Sequence, residues 1–342
     1  MKVKKSELLD ALNKVKPGLA KKEIVEQATH FIFAENEIVT FNDQMCIMHP
    51  FDCDTEFSVK GEEFYKIISN ISEDDIDLSM DDGNLKIKTK STKASLSTVV
   101  GDTAKVEHLV ASIRQDIAGK DFWKPLPKEF TQALYLCAFS ASKDLATGVR
   151  ACVAVKGETV FSADGLRACM YVMDGNLEEL LIPAKDAMEL MKYKVSHYGI
   201  TDNWIHFKTK DDITFNCKAL KGDYPYKQCS GVFEDVEPDM TLPESLKEVV
   251  ASVTILADGD VDINKMIDVT IEPGLITCKA EKERGWITKT VPFEYKGDKV
   301  SFQINPIFFA QILQHATELV LLDGKAMFSS GNFWHVVSLP TE

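Results

Sequence analysis

Two short patterns in the sequence contain residue types that could do chemistry. Ser140 and Lys143 have the S-x-x-K spacing of acyl-transfer enzymes, in which the serine is the nucleophile. Asp258, Asp260 and Asp262 alternate like the first ligands of a calcium loop. Both patterns are incomplete, because no K-T-G accompanies the serine and the calcium loop lacks its later glycine and glutamate. We therefore predict no acyl-transfer site, and a hairpin turn at the aspartates.

The other common catalytic and cofactor-binding motifs do not occur. The sequence contains no G-x-x-x-x-G-K-[ST] phosphate loop, G-x-G-x-x-G, G-x-S-x-G or H-E-x-x-H. The seven histidines are dispersed, without the spacing of metal ligands. Asp81 and Asp82 precede glycine between two alternating segments, which favours a hairpin turn over a catalytic carboxylate pair. We predict that the protein is not an enzyme and that it uses no metal or cofactor.

The composition is that of an ordinary globular protein. Of the 342 residues, 45% are hydrophobic and 27% are charged, which suits two or three domains with their own cores. The net charge of −14 argues against a surface coated by nucleic acid. The charge is segregated, however, because residues 1–22 carry seven lysines and two acids, whereas residues 73–82 are strongly acidic. The total charge therefore does not decide whether the protein binds nucleic acid.

The cysteines and the apolar segments indicate the cellular compartment in which the protein is found. The eight cysteines lack a C-x-x-C pair and mostly stand among apolar residues, which favours reduced, buried thiols over disulfides or a zinc site. The longest apolar run, residues 249–257, is about half of a membrane span. The lysine-rich start continues into an amphipathic helix rather than the apolar core of a signal peptide. We expect a soluble cytoplasmic protein.

The chain contains three copies of one pattern. A short alternating strand that leads into an amphipathic helix begins near Phe57, Leu180 and Phe302, at offsets of 123 and 122 residues. Two alternating strands joined by a polar turn follow each of these helices, and a second helix type recurs near residues 6, 126 and 242. Helices on antiparallel sheets predict an α+β fold of three units, with domains 1–118, 119–234 and 235–342 and connectors at 101–124 and 230–241. Chance similarity of ordinary amphipathic patterns is the alternative.

Five segments carry a specific resemblance. Taken alone, residues 163–168 (ADGLRA) predict a hairpin turn, but they also resemble the T-D-G-H-R-L/A turn of the bacterial DNA polymerase sliding clamp, the beta subunit of DNA polymerase III. Residues 181–185 (LIPAK) resemble the I-I/V-P-R/A-K step of that family, and residues 94–98 its F-x-L-S/P-T strand. Residues 222–226 resemble its G-x-F-P-D-Y segment and residues 336–340 its C-terminal tail. The segments occur in the family's order along the whole chain, which suggests a divergent or phage-encoded member.

The resemblance implies a fold and a function. In this family, three similar domains, each with two helices packed on antiparallel sheets, form a crescent, and two crescents close into a ring around duplex DNA. The ring tethers the replicative polymerase and other replication proteins, and a separate ATP-dependent clamp loader opens it. The implied partners are therefore double-stranded DNA held without sequence specificity, a DNA polymerase, the loader and a second copy of the chain. A nucleoid-associated cytoplasmic protein without a membrane partner is implied.

The resemblance also implies two sets of site residues. A pocket for partner peptides would be formed by Val153, Gly165, Leu166, Arg167, Pro225, Cys229, Val337, Leu339 and Pro340. Basic residues, mainly on helices that line the hole, would face DNA, namely Lys4, Lys5, Lys14, Lys21, Lys22, Lys66, Lys128, Arg150, Lys192 and Lys194.

Three alternatives stay open at this point. The chain could be a monomeric or trimeric processivity factor in which similar domains close differently. It could be a non-catalytic interaction scaffold of clamp fold that uses the same pocket and never encloses DNA. It could also be an enzyme whose site the motif search does not recognise.

Overall fold

The computed structural model describes residues 1–23, 25–99, 105–119, 121–257, 259, 261–283 and 285–340. The chain divides into two compact units, the first formed by Met1–Thr131 and Lys185–Leu220 and the second by Gln132–Ala184 and Lys221–Glu342. The domain boundaries proposed above stay a prediction. Among the described helices, none combines the length and the apolar character that crossing a membrane requires.

Antiparallel strands and short helices build both units. The strands are β1 (Lys2–Lys4), β2 (His30–Ala34), β3 (Glu37–Phe41), β4 (Met45–Pro50), β5 (Phe57–Lys60), β6 (Asp75–Asp81), β7 (Asn84–Lys88), β8 (Lys93–Val99), β9 (Lys124–Pro125), β10 (Cys152–Ala163), β11 (Arg167–Pro183), β12 (Val195–Ile200), β13 (Trp204–Thr209), β14 (Thr214–Lys218), β15 (Met240–Thr241), β16 (Ile267–Glu272), β17 (Gly274–Lys282), β18 (Gly285–Phe293), β19 (Val300–Ile304), β20 (Glu318–Leu322), β21 (Lys325–Ser330) and β22 (Phe333–Ser338). The α-helices are α1 (Lys5–Val15), α2 (Gly61–Asn70), α3 (Lys105–Ile117), α4 (Phe130–Ala138), α5 (Ala184–Leu190), α6 (Tyr226–Ser230), α7 (Leu246–Val253) and α8 (Pro306–Ile312). Short 3-10 helices span Lys16–Gly18, Leu145–Ala151, Thr254–Leu256 and Asp262–Asn264.

One strand order occurs three times. The orders β1-β6-β7-β8 and β9-β12-β13-β14 belong to the twelve-stranded sheet of the first unit, and β15-β20-β21-β22 belongs to the six-stranded sheet of the second. In each set a short strand pairs with the first strand of two consecutive hairpins, all antiparallel. Helices α2, α5 and α8 begin at Gly61, Ala184 and Pro306, which reproduces the offsets of 123 and 122 residues. The predicted α+β class and the threefold repeat are confirmed.

Each helix presents apolar side chains to its sheet at the spacing that the sequence predicts. In α2, Phe64 and Ile68 are fully buried, and the ring of Phe64 meets Phe31 and Phe33 of β2 edge-on. In α8, Phe309 is likewise fully buried and packs against a phenylalanine of β21. Burial of such a side chain stabilises the fold by about 1.5–3 kcal/mol, so these faces attach the helices to the sheets.

The first proposed connector contains a helix. Helix α3 buries Val110 and Ile113 in a cluster with Ile32, Val39 and other side chains of β2–β4. Ile32 alternates with the phenylalanines that contact α2, so α3 covers the opposite face of the same strands. Two ion pairs of 3.0 Å join Arg114 to Glu35 and Glu37. The proposed connector at 101–124 therefore includes a helix, which covers the apolar face of this sheet.

Two strand pairings join one copy of the repeat to the next. Strand β4 pairs with β14 in the first unit, and β11 pairs with β22 in the second. Each pairing sets a buried cysteine opposite a buried polar residue, with Cys46 facing Asn216 and Cys169 facing His335. In the first, the amide nitrogen of Asn216 donates to the carbonyl oxygen of Cys46 at 2.9 Å. Buried hydrogen bonds of this kind favour one register over its neighbours.

Candidate functional site

A hairpin turn at Asp164–Gly165–Leu166 connects β10 and β11. The Asp164 carboxylate accepts hydrogen bonds from the backbone N–H groups of Leu166 (3.0 Å) and Arg167 (3.1 Å). Gly165 has φ = 99°, a conformation that residues with a β-carbon rarely adopt. The turn leaves the side chain of Leu166 39% exposed. The predicted hairpin is confirmed, and it presents one apolar side chain to solvent.

The Arg167 side chain anchors this turn from inside the protein. Arg167 is only 5% exposed, and its Nε donates to the carboxylate of Asp164 at 3.0 Å. Its Nη1 donates to the amide oxygen of Gln311 at 2.7 Å, and its Nη2 donates to the carbonyl oxygen of Phe139. The guanidinium also lies 4.0 Å from the ring centroid of Phe308. Since its donors are engaged, Arg167 positions the turn instead of offering a free charge.

A mostly apolar cavity of about 310 Å³ lies beside the turn, and the second unit contributes all of its walls. Five predicted pocket residues line it, namely Gly165, Leu166, Arg167, Pro225 and Cys229. The other lining residues are Arg150, Ala163, Ala168, Tyr224, Gln228, Val232, Val336 and Ser338. Apolar walls with a few polar groups at the mouth are typical of sites that bind a ligand's apolar side chains.

Four predicted pocket residues lie elsewhere. Val153 is fully buried in β10, and Val337 is 2% exposed in β22. Leu339 and Pro340 line a different cavity, with residues of β16, β19 and the β20–β21 turn. Successive side chains of a strand point to opposite faces, so Val336 and Ser338 face the pocket while Val337 faces away. The contribution of this segment is therefore offset by one residue from the sequence-based assignment. That the pocket binds partner peptides stays a prediction.

The pocket wall formed by Tyr224 and Cys229 is uncharged. Tyr224 is 5% exposed, and the Cys229 thiol donates to its hydroxyl oxygen at 3.8 Å. Burial raises the pKa of the Tyr224 hydroxyl and of the Cys229 thiol, so both stay protonated at neutral pH. A protonated thiol is a weak nucleophile. The wall is therefore suited to contact with apolar groups.

Beneath the pocket the structure brings together three polar residues that sequence reasoning did not connect. The Cys169 sulfur lies 2.8 Å from Nδ1 of His335, and the Ser140 hydroxyl lies 2.8 Å from the same sulfur. A cysteine beside a histidine is the arrangement of many nucleophilic sites. Here all three side chains are fully buried, and burial raises the pKa of Cys169 to about 12. The thiol therefore stays protonated and out of reach of a substrate, while Lys143 of the S-x-x-K pattern is exposed.

Metal-binding clusters are absent from the part of the chain that the structure describes, in which no three His, Cys, Asp or Glu side chains group as ligands. Asp258 and Asp260 of the calcium-like pattern lie outside the described residues, and Asp262 begins a short 3-10 helix. The Asp81–Asn84 segment is a hairpin turn between β6 and β7, as predicted. All eight cysteines are buried thiols that form no disulfide.

We expect His335 to make stability fall in acid. Burial first, and then the nearby charges of Arg167 and His315, hold the pKa of His335 well below its ordinary value of 6.5. The unfolded chain therefore binds a proton near pH 6.5 that the folded chain does not. Below that pH the free energy of unfolding should decrease by up to about 1.4 kcal/mol per pH unit for this residue. Urea denaturation of the H335Q variant from about pH 7 to pH 5 should show a smaller slope.

Other histidines contribute to the same slope, so the comparison needs a matched variant. Exposed His197 serves this purpose, and H197Q should retain the acid loss that H335Q removes. Equal pH slopes for H335Q and the unchanged chain would show that His335 does not resist protonation in the folded state.

The ten basic residues expected to face DNA differ in whether another group of the protein already pairs with their charge. Four are ion-paired at 2.6–2.7 Å, namely Lys4 with Asp75, Lys14 with Asp10, Lys66 with Glu62 and Lys192 with Glu189. Lys5 donates to the carbonyl oxygen of Ser69 at 3.1 Å. Within the described residues, the other five are exposed and lack a carboxylate within 4.0 Å, namely Lys21, Lys22, Lys128, Arg150 and Lys194.

Few of these residues stand on α-helices. Lys5, Lys14 and Lys66 do, whereas Lys4 belongs to β1 and Lys128, Lys192 and Lys194 lie in turns or loops. The expectation that the basic residues are mainly helical was therefore wrong. The helices end earlier than the sequence pattern suggests, as at Leu190 in α5.

Lysines converge on one cleft of the first unit. A cavity of about 750 Å³ is lined by Lys16, Lys21, Lys22, Lys60 and Lys66, with Glu23 and Glu62 among its other residues. The ammonium of Lys16 lies 3.7 Å from the centroid of the Tyr65 ring. Sequence reasoning singled out neither Lys16 nor Lys60 as a site residue, because only the fold brings the end of α1 beside the start of α2. The lysines outnumber the acids, so the cleft favours anionic groups.

Comparison with known proteins gives a match in structure only. No protein-family model matches the sequence, and no curated protein matches it. The chain is similar to the DNA polymerase III subunit beta sliding clamp of Pseudomonas aeruginosa, solved with griselimycin, at a TM-score of 0.80 and 16% identity over 100% of this chain and 99% of that one. The sliding clamp of Bartonella birtlesii gives a TM-score of 0.83 and 15% identity at the same coverage. The DNA polymerase III beta chain of Streptococcus pneumoniae gives 0.82 and 13%, again over 100% and 99%. The chain has the sliding-clamp fold, as the five segments predicted.

Proposed function

We propose that the chain is a DNA polymerase processivity factor. Two copies form a ring around duplex DNA, and the ring tethers the replicative polymerase and other replication proteins in the cytoplasm, at the nucleoid. The observation that carries this proposal is the similarity of the whole chain to whole sliding clamps, at TM-scores of about 0.8 and coverage of 99% or more on both sides. A fold can host other functions, so features of this chain must support the proposed role as well.

The pattern of strand pairing supports closure by a second copy. Within the chain, β4 pairs with β14 and β11 pairs with β22, so an edge of the first repeat meets the last hairpin strand of the second, and an edge of the second repeat meets that of the third. A third pairing of the same kind would join an edge strand of the third repeat, β18, to the last hairpin strand of the first repeat, β8. Strand β18 is terminal in the four-stranded sheet, and residues 93–97 of β8 pair only with β7 among the described residues. Head-to-tail pairing of β18 with β8 of a second copy would satisfy both edges.

The chemistry of these edges supports the same pairing. Trp286 of β18 is 66% exposed, and Ile255, on the 3-10 helix that packs against β18, is 75% exposed. Large exposed apolar side chains of this kind mark protein interfaces.

Enclosure explains how an acidic protein could hold DNA. The lysine cleft around Lys21 and Lys22 would neutralise phosphates without reading sequence, and such contacts weaken as salt increases. The net charge of −14 would repel DNA from the rest of the surface. Weak contacts inside a closed ring allow sliding, because topology and not affinity prevents escape.

The pocket around Leu166 would dock the polymerase. Apolar anchors of a partner segment fit its walls, and attachment to a ring on DNA raises the partner's effective concentration at the template. Opening of the ring would require a separate ATP-dependent loader, because no phosphate-binding loop occurs in the sequence.

The decisive test is topological. The chain is diluted to dissociate its dimers, mixed with nicked circular plasmid, concentrated so that rings reassemble, and passed over a sizing column in high salt. We expect the protein to co-elute with the circle and to be lost once the plasmid is cut at a single site. High salt removes electrostatic contacts, so retention then reports enclosure.

Plasmid cut before mixing is the control and should retain no protein. Sedimentation should give about twice 38.2 kDa for the free protein. Retention that survives cutting contradicts the ring. A dimer that never becomes resistant to salt on circular DNA favours the alternative, an interaction scaffold of clamp fold that does not enclose DNA.

A further inference from the structure

A second cavity of the second unit lies beside strand β19. Its volume is about 780 Å³, and it has no residue in common with the pocket around Leu166. Residues 300–303 of β19 form one side of this cavity. Residues 321–324, at the end of β20 and in the following turn, form another side together with Leu339 and Pro340. We call this cavity the β19 groove.

In the first repeat, strand pairing closes the corresponding place. Val99, at the end of β8, pairs with Ser58 of β5. The N–H group of the preceding residue, Thr98, donates to the carbonyl oxygen of Gly83 in the β6–β7 turn at 3.2 Å. Successive N–H groups of a strand point to opposite sides, so the N–H of Val99 points toward β5. A backbone donor therefore faces the strand that precedes α2.

The third repeat has a proline at this position. The N–H group of Leu339 donates to the carbonyl oxygen of Gly324 in the β20–β21 turn at 2.9 Å, which is the bond that Thr98 makes in the first repeat. Pro340 therefore corresponds to Val99, and proline has no N–H group. Strand β19, the counterpart of β5, pairs only with β16 among the described residues. Its outer edge is consequently an unpaired backbone edge, which can accept a further strand.

The side chains around this edge are apolar or acidic. Phe302, Leu322 and Leu339 are half-buried in the groove. Asp268 and Asp323 are exposed, and in the part of the chain that the structure describes no basic side chain approaches either carboxylate within 4.0 Å. The described residues that line the groove include no lysine, arginine or histidine. The groove therefore favours a segment that carries both apolar and basic side chains.

We propose that the β19 groove binds an extended segment of another protein, which adds a strand to the open edge of β19. Backbone hydrogen bonds to the edge supply affinity, and the side chains of the segment supply selectivity. Phe302 and Asp268 lie on opposite faces of the sheet, because Asp268 is paired with the residue next to Phe302, Gln303. A segment in which apolar and basic residues alternate therefore matches both faces.

This docking site is separate from the proposed function, because it uses neither the pocket around Leu166 nor the edges that would close the ring. A second copy of the chain is proposed at β18, which is the strand at the opposite end of the same four-stranded sheet. Duplex DNA is disfavoured because two acidic side chains and no basic one line the groove. A basic, extended peptide segment is the occupant that fits the edge, the apolar side chains and the charge together.

The test uses three peptides titrated into the full chain by calorimetry. They are acetyl-Val-Arg-Val-Arg-Val-amide, the same peptide with glutamate in place of both arginines, and a copy of the arginine peptide in which every backbone nitrogen is methylated. We expect the arginine peptide to bind at least about tenfold more tightly than the other two, which lack the charge or the backbone donors. Hydrogen exchange followed by mass spectrometry should show that this peptide protects the amides of residues 300–304.

A double variant tests the charge of the groove. D268N combined with D323N should weaken binding of the arginine peptide about three- to tenfold. D223N combined with D235N removes the same charge from exposed positions of the second unit outside both cavities, and should bind as the unchanged chain does. L166A should also retain binding.

Several results would overturn the inference. Absence of binding, equal binding of the glutamate peptide, or binding that survives methylation would exclude strand addition to a groove selective for basic segments. Protection of residues 285–293 in place of 300–304 would move the site to β18, and loss of binding in L166A would move it to the pocket. Self-association that weakens in the D268N/D323N variant would identify a second copy as the occupant. The titration needs no DNA, so its failure and a failure of the topological test are distinguishable.

Discussion

Replacement of Asp164 by alanine is expected to lower the free energy of unfolding by about 3–5 kcal/mol. The Asp164 carboxylate neutralises the guanidinium of Arg167, which is 5% exposed, and accepts two backbone N–H groups of the turn. Alanine leaves a buried charge without a counter-ion, which is among the costliest single changes in a protein. Urea denaturation at neutral pH measures the loss.

A double variant distinguishes the cost of leaving the Arg167 charge unpaired from the cost of losing the hydrogen bonds of the turn. D164A combined with R167M removes both charges and keeps an apolar side chain of similar length between Phe139 and Phe308, so we expect it to recover a large part of the loss. D144A, which removes a capping carboxylate on an exposed loop, should cost only about 1 kcal/mol. A loss below that value in D164A would mean that Arg167 is solvated or neutralised in another way.

Replacement of Trp286 by alanine is expected to raise the dissociation constant of self-association about 30-fold or more, which corresponds to roughly 2 kcal/mol for an interface hot spot. Trp286 is 66% exposed on the terminal strand β18, where nothing in the same chain continues the sheet among the described residues. Sedimentation over a range of concentrations should show the midpoint of assembly shifting upward, with a 38.2 kDa species at concentrations where we expect the unchanged chain to form the proposed dimer.

Leu145 provides the matched control for this prediction. It is 63% exposed and belongs to the 3-10 helix near the pocket rather than to either open edge, so L145A should assemble normally. The exposure of Trp286 also means that its removal creates no cavity in the core, and the melting temperature of the monomer should not fall. Unchanged assembly in W286A would place the dimer contact elsewhere.

The repeat could be predicted because its signals are local and periodic. Strand residues alternate with period two and helix residues with period 3.6, so Phe64, Ile68 and Phe309 are recognisable as core residues without a structure. The hairpins at Gly83 and Gly165 were predictable because only glycine readily takes their positive φ values. Helix α3 carries a similar signal in Val110 and Ile113, but it lies between two repeats and was assigned to the connector.

Which residues form the pocket and the basic surface was much less predictable from the sequence. A shift of one residue along a strand exchanges its two faces, and the family resemblance could not distinguish Val336 and Ser338 from Val337 and Leu339. Ion pairs are equally hidden, since Lys4 meets Asp75 only because β1 pairs with β6. Contacts between residues far apart in the chain depend on the register in which their strands pair. A single sequence does not directly show which residues of two strands stand opposite each other.

The sequence by itself determined the α+β class, the threefold repeat and the clamp fold. The hydrophobic period, the turn residues and the motifs are all local signals, which can be recognised from neighbouring residues without a structure. Only the tertiary structure decided that Arg167 is a buried anchor, that Arg150 stands at the mouth of the pocket, and that Cys169 and His335 are sealed beneath it. Burial and long-range hydrogen bonds set the charge state and reach of each side chain, and both arise only when distant segments pack together.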